Sequence, residues 1–302
     1  MTKKISVGYT SYAAGNAPMK MGVARGIFSR YELDVEMLEY PRGSTAMDAL
    51  ADGKVDAAVV SALPIIRAAA RGVQPVVIMS VENENIFAII GARGVTSPAH
   101  LLGKSVGVSS MNDQDSLIMR RTLNAWGLPI GKGAAKVQIE EFSGGRGAIW
   151  QSLLDGTVAA MAATVPEPIN AASLGLPILH NYKDEHEPYQ AGSLVTTREF
   201  ADGNREVLTA LMRAQVASID LFASDFHAAS SYLRDCTHID NQEVLEIVWE
   251  LFGSAMKNGL PSPQPLDAVI DDARKFDDLT LQVWADDIVD SSFFHAAVTA
   301  LS

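Results

Sequence analysis

Two stretches of this chain, about a hundred residues apart, carry the same succession of segments. Residues 4–11 read KISVGYTS and 104–110 read KSVGVSS, while 50–58 read LADGKVDAA and 153–160 read LLDGTVAA. Between them stand VEMLEYPRGSTAM (35–47) and VQIEEFSGGRGAIW (137–150), so the order of segments repeats along with their wording. The offset is 99 from Val7 to Val106, 102 from Val35 to Val137 and 103 from Asp52 to Asp155. A register that drifts so little over three segments marks a repeated structural unit. Two copies of one α/β unit facing each other enclose a cleft, the usual place for a ligand.

Each copy alternates short β-rich runs with helical ones. In the first, ISVGYTS is a strand, and Asn16, Ala17 and Pro18 start a helix that turns Met19, Val23 and Ile27 inward and stops near Gly26. LDVEMLEY alternates apolar and polar residues as a half-buried strand does. Pro41 to Ser44 turn into a helix from Thr45 to Ala51, VDAAVVS is a buried strand and PIIRAAARG a helix, before strands PVVIMSVEN and FAIIGAR. The second copy runs KSVGVSS, a helix from Asp113 to Trp126, strand VQIEEF, turn SGGRG, helix AIWQSLLDG, strand VAAMAAT and then PEPINAASLG. Strands alternating with helices predict parallel sheets, with ligands beyond the carboxyl ends of the strands. GSLVTTREF reads as a strand returning to the first unit, followed by helices over 206–222, 228–235 and 242–256. The expected organisation is two Rossmann-like α/β lobes: residues 1–92 plus 193–302 as lobe 1 with C-terminal helices, and 93–192 as lobe 2. The two connections, near 92–98 and 190–196, would form the hinge.

Length and composition fit two domains with separate cores: 302 residues, 48% hydrophobic and 20% charged. The net charge is −12 and no Lys/Arg-rich run is present, which argues against nucleic acid and anionic membrane surfaces as partners. Apolar runs such as VDAAVVSALPII fall short of the ~20 residues of a membrane span, so direct membrane insertion is not expected. The chain starts MTKK and enters a strand at once. The location is therefore periplasmic or extracytoplasmic if a leader was removed, and cytoplasmic if Met1 is the native start. The single Cys236 excludes an internal disulfide and does not decide the compartment.

A Gly-rich turn opening a helix leaves backbone N–H groups free at the positive end of the helix dipole, which suits an anion. Four such ends are expected around the cleft: after Ser11, at Gly43 to Thr45, at Ser109 to Asp113 and at Ser143 to Gly147. Ser44, Thr45, Ser109, Ser110 and Ser143 add hydroxyls, although the same residue types serve as ordinary helix caps. Arg42 and Arg146 offer bidentate contacts to a carboxylate or sulfonate. In TVPEP (164–168), two prolines hold Glu167 in a stiff loop at a strand end, placed as Ala62 to Pro64 are in the first copy. Glu167 would bind a ligand amine or hydroxyl, or tie the lobes together. Arg146, Glu167 and the loop from Asn112 to Asp115 have no counterparts of the same type in the first copy, so ligand choice is expected there. Of the aromatic residues near the turns, Tyr9, Tyr40, Phe142 and Trp150 read as core and Tyr12 as free to project. The histidines are scattered, HNYKDEH (180–186) reads as a polar surface loop, and neither a metal site nor a cofactor is expected.

With these residues in view, the chain resembles the type II periplasmic binding proteins of ABC importers, in the nitrate, sulfonate, taurine and NMT1/THI5-like group. The resemblance runs from about Ile5 to Phe294 and rests on VGYTSYAAGNAPMKMGVARGIFSRYELDVEML, GSTAMDALADGKVDAAVVSALPIIRAAARG, LLGKSVGVSS, LLDGTVAAMAATVPEPINAA and LVTTREFADGNREVLTALMRA. It implies a ligand between the lobes, held by Ser11, Tyr12, Gly43, Ser44, Thr45, Ser61, Ser110, Asn112, Gly145, Arg146 and Glu167, with Arg42 added from the charge argument. It also implies a small-molecule anionic ligand, such as a sulfonate or carboxylate, and an ABC permease as partner if the protein is secreted. The alternative is a cytosolic enzyme of the same fold, a decarboxylase or lyase using Arg42, Arg146, Glu167 and His100 or Asp113. A ligand-sensing regulatory module is a third reading, disfavoured by the acidic charge.

Overall fold

The computed structural model describes residues 2–10, 13–277 and 282–299. The first copy forms β1 (Lys3–Thr10), α1 (Ala17–Ala24), α2 (Ile27–Arg30), β2 (Leu33–Tyr40), α3 (Gly43–Ala51), β3 (Ala57–Val60), α4 (Ala62–Ala70) and β4 (Pro75–Glu84). Pro18 sits in the first turn of α1, where its missing N–H breaks no helical bond. Gly26, with φ of 68°, separates α1 from α2 in a conformation that an L side chain resists. In β2 the alternation is literal: Leu33 and Val35 are buried, Asp34 and Glu36 exposed. The second copy gives β5 (Phe87–Gly91), β6 (Ser105–Val108), α5 (Gln114–Ala125), β7 (Gln138–Glu141), α6 (Gly145–Leu154), β8 (Ala160–Thr164), α7 (Glu167–Ser173) and β9 (Ile178–Asn181).

The two sheets have matching strand orders, β2-β1-β3-β10-β4 and β7-β6-β8-β5-β9, where β10 spans Pro188–Thr197. In each, three parallel strands are followed by one antiparallel strand contributed where the chain changes lobe. The repeat legible in the sequence is therefore a repeat of topology. The crossings lie earlier than the boundaries at 92–98 and 190–196: β5 belongs to the second sheet and β10 to the first, so the chain crosses between Glu84 and Phe87 and returns between Asn181 and Pro188. FAIIG is buried along its whole length, and a uniformly apolar strand carries no periodicity that tells which sheet it joins. At the crossing, the buried Asn85 donates its backbone N–H to the Glu187 carbonyl (3.2 Å) and its Nδ2 to Glu187 Oε1 (2.6 Å), holding the two connections side by side.

After β10 the chain is helical: α8 (Arg198–Gly203), α9 (Arg205–Ser224), α10 (Phe226–Thr237), α11 (Gln242–Ala255), α12 (Pro263–Phe276), α13 (Ala285–Ile288) and α14 (Ser292–Val298). By length and composition α9 would pass for a membrane span, but Val207, Leu208, Leu211 and Met212 are buried and the helix packs on α1 and α14. It is a core helix of the first lobe. α12 lies across β10, α4 and α5, touching elements of both lobes. From its C-terminal end, Asp277 accepts hydrogen bonds from Arg67 on α4 and Arg120 on α5, while Asp272 pairs with Arg121 at 3.0 Å.

Candidate functional site

The carboxyl ends of β1 and β3 face those of β6 and β8 across a cavity of about 120 Å³. Val59, Val60, Val81, Ile86, Phe87 and Phe252 supply an apolar wall, so a ligand here would bury an apolar body. Polar groups converge from both lobes: Thr10, Asn16, Arg42, Ser61 and Glu82 from the first, Asp113, Gln114, Asp115, Arg146 and Thr164 from the second. Asn16 Oδ1 and Arg42 Nε are buried without a hydrogen-bond partner among the described residues, although Asn16 Nδ2 donates to the Thr10 carbonyl at 2.7 Å.

The starts of α3 and α4 at this cavity, and the turn before α5, take side chains of the chain itself. Asp113, which precedes α5 in the second lobe, reaches the first turn of α3 in the first: Ser44 N–H donates to Oδ1 at 2.7 Å and Ser44 Oγ to Oδ2 at 3.1 Å. Gln114 Oε1 accepts the backbone N–H groups of Ala62 (2.7 Å) and Leu63 (3.3 Å) at the start of α4, and its Nε2 donates to the Gln190 carbonyl on β10. Asp115 caps its own turn, accepting from Ser109 N–H at 2.7 Å and Ser116 N–H at 2.9 Å. Of the four ends expected to cradle an anion, those at Gly43 and Ser109 are thus occupied by carboxylates. Orphan N–H groups of a first turn take any well-placed oxygen, and side chains from a facing lobe supply it as well as a ligand does.

Burial raises the carboxyl groups here above their ordinary range. Asp113 is pushed up to about 7, by burial first and then by the charge of Asp115, against the pull of the Ser44 hydrogen bonds and of Arg42. Asp115, Glu82 and Glu167 move in the same direction, each chiefly through burial. Glu167, only 4% exposed, has Arg146 Nη1 3.6 Å from Oε1, an ion pair too long for a hydrogen bond, and neither of its oxygens accepts one from the described residues. Arg146 Nη1 also donates to Thr164 Oγ1 at 3.1 Å.

Among the residues singled out from the sequence, Arg42, Gly43, Ser61 and Arg146 line the cavity. Ser44 binds Asp113 across the lobes. Gly145, with φ of 65°, lets the start of α6 approach the Pro41 carbonyl of the first lobe so closely that a Cβ would collide with it. Thr45 and Ser110 serve local turns, Thr45 Oγ1 donating to the Arg42 carbonyl and Ser110 Oγ accepting from Asn112 N–H. Asn112 is exposed. Glu167 stands beside Arg146 at the start of α7. Ser11 and Tyr12 lie outside the described residues. His100 accepts from Thr96 N–H on a short 3₁₀ turn before β6 and does not line the cavity. The buried Cys236 is likewise off the cavity wall, its thiol pushed up to about 12 by burial. HNYKDEH is only partly a surface loop: Tyr182 is buried, with Arg121 stacked 4.7 Å from its ring centroid.

Sequence reasoning missed Phe252, which reaches the cavity from α11 with no local signal, and Phe87, which belongs to the misassigned strand β5. The run Asp113-Gln114-Asp115 carried a signal: three polar residues at a helix start beside the cleft, without counterparts in the first copy.

A two-lobed α/β molecule with matched sheets and a cleft at their carboxyl ends has the type II periplasmic binding protein fold. Solved structures agree. The ligand-binding component of an ABC-type import system from Staphylococcus aureus superposes with a TM-score of 0.76 at 15% identity, covering 98% of this chain and 99% of that one. The alkanesulfonate-binding protein SsuA from Xanthomonas axonopodis pv. citri, bound to MOPS, gives 0.75 at 16%, covering 95% and 98%. The periplasmic nitrate-binding protein NrtA from Synechocystis PCC 6803 gives 0.76 at 13%, covering 99% and 89%. At these identities the likeness is one of fold. The family model described as NMT1/THI5 like matches residues 14–227, and the chain belongs to that family. No curated protein matches it by sequence.

Proposed function

We propose that this chain is the extracytoplasmic solute-binding component of an ABC importer, closing on a small organic solute and presenting the closed form to a membrane permease. The observation that carries the reading is a cavity walled by both lobes and bridged by hydrogen bonds between them, from Ser44 to Asp113 and from Ala62 and Leu63 to Gln114. A solute touching both walls favours the closed form by the difference between its affinities for the two states. The described residues up to Glu84 and from Pro188 onward make the first lobe in this reading, 87–181 the second, and the paired connections at Asn85 and Glu187 the hinge. Arg42, Gly43, Ser61 and Arg146 line the polar side of the solute's space, Glu167 pairs with Arg146, and the six apolar wall residues take the solute's body. The names of its structural neighbours, an import component and sulfonate- and nitrate-binding proteins, support the transport role.

The test is reconstitution with the permease and ATPase encoded beside it. Solute-loaded protein should raise ATP hydrolysis in proteoliposomes well above the level with empty protein. A solute that binds tightly yet leaves hydrolysis unchanged would overturn the transport role.

A further inference from the structure

In this fold the polar end of a solute has two kinds of partner, backbone N–H groups and side chains, and the chain itself occupies much of the first kind. Small oxyanions bind proteins through pairs of backbone N–H groups at helix starts. Here the Ser44 N–H and hydroxyl at the start of α3 end on Asp113 and the Ala62 and Leu63 N–H groups at the start of α4 on Gln114, both from the opposite lobe, while the Ser109 and Ser116 N–H groups end on Asp115. Three carboxyl groups, Glu82, Asp113 and Asp115, line the cavity against the two guanidinium groups of Arg42 and Arg146. Neither arginine is a lone positive charge: Arg42 acts on Asp113, and Arg146 on Asp115 and Glu167. On the same wall, among the described residues, one buried acceptor, Asn16 Oδ1, and one buried donor, Arg42 Nε, are without a partner, so the wall is not short of places for a donor from the solute.

We propose that Asp113 determines the specificity of this site, barring small oxyanions from the start of α3 and selecting a solute that presents a hydrogen-bond donor, neutral or cationic, to its carboxyl group. The inference rests on the solute-binding reading and names the chemical class of its ligand. Asp113 is 5% exposed and lines the cavity, and each of its oxygens accepts one bond from Ser44, leaving each oxygen a lone pair for the solute. A nitrate or sulfonate in the same place would displace no solvent from the α3 start and would face a carboxylate instead.

The test uses four probes with one apolar body: benzamidine, benzamide, benzoate and benzenesulfonate. Thermal shift and calorimetry at pH 8 would compare the wild-type protein, Asp113→Asn, which keeps both bonds to Ser44, and Asp113→Ser, which frees the α3 start; circular dichroism would check that each folds. The wild type should favour benzamidine and benzamide over benzenesulfonate, and Asp113→Ser should gain about tenfold or more in benzenesulfonate affinity, with Asp113→Asn between. A wild type that binds benzenesulfonate as well as benzamidine overturns the proposal. So does an Asp113→Ser protein with no gain in sulfonate binding, even if no probe binds the wild type. Either failure leaves the transport role standing, since that role is judged by ATP hydrolysis, and loss of the transport role leaves the order of the probes unaffected.

Discussion

Asp113 concentrates the residue-scale consequences. Its folded-state proton affinity lies above that of an unfolded aspartate, so the folded form binds more protons than the unfolded one between about pH 4 and pH 7. Stability from this group is fully present below that window and is lost as pH rises through about 7. Asp113→Asn cannot ionise and keeps acceptor and donor for Ser44. Its melting temperature should match the wild type near pH 4 and exceed it at pH 8, by a margin worth about 1.4 kcal/mol for each tenfold change in proton affinity removed. A constant difference across that range, measured by scanning calorimetry, would show that the ionisation of Asp113 is not linked to folding. The sequence pointed to the loop from Asn112 to Asp115 as the seat of ligand choice, and to Gly43 and Ser44 as an open anion cradle. Nothing in it could join the two, because Ser44 and Asp113 stand 69 residues apart and meet only when the lobes face each other.

At the scale of elements, α5 belongs to the second sheet's lobe yet is fastened to the first at both its start and its middle. Gln114 fills the start of α4, and Arg120 and Arg121 meet Asp277 and Asp272 at the α12 end of the first lobe. The strap α12 was not anticipated, although its apolar residues Leu266, Val269, Ile270 and Ala273 are spaced as one helical face and are buried. Its partners Arg67 and Arg120 are 210 and 157 residues away from Asp277, so their charges could not be paired from the sequence. Replacing Asp277 by Ala would leave two largely buried guanidinium groups without their common acceptor. Such a loss costs roughly 3–5 kcal/mol in buried pairs, and the partial exposure of both arginines puts the expected value at the low end, read from urea denaturation. Helices and strands with clear periodicity were legible to within a few residues, as for α9, α10 and α11. Strand β5 was legible as a strand but not as a member of its sheet.

For the whole molecule, the repeat in sequence correctly announced two lobes, and what it left out is how tightly they meet. Gly145 marks that seam: the backbone of α6 lies against the Pro41 carbonyl, where a side chain has no room. Gly145→Ala adds a left-handed residue, costing roughly 1–2 kcal/mol, and a clash that only separation of the lobes relieves. The radius of gyration from small-angle scattering should rise and solute affinity should fall, while the circular dichroism spectrum stays that of the wild type. An unchanged radius and affinity would mean that the seam yields locally.

The clamp between Asn85 and Glu187 places the way out of the first lobe beside the way back in, and everything from β5 to β9 lies between those two points. Topologically, the second lobe is a continuous insertion whose ends enter and leave at one spot. A gene segment encoding residues 87–181 could therefore be exchanged for that of a relative without rerouting the rest of the chain, carrying half of a binding site with it as one heritable cassette. Recognition in such a molecule can be reassorted by recombination as well as altered residue by residue.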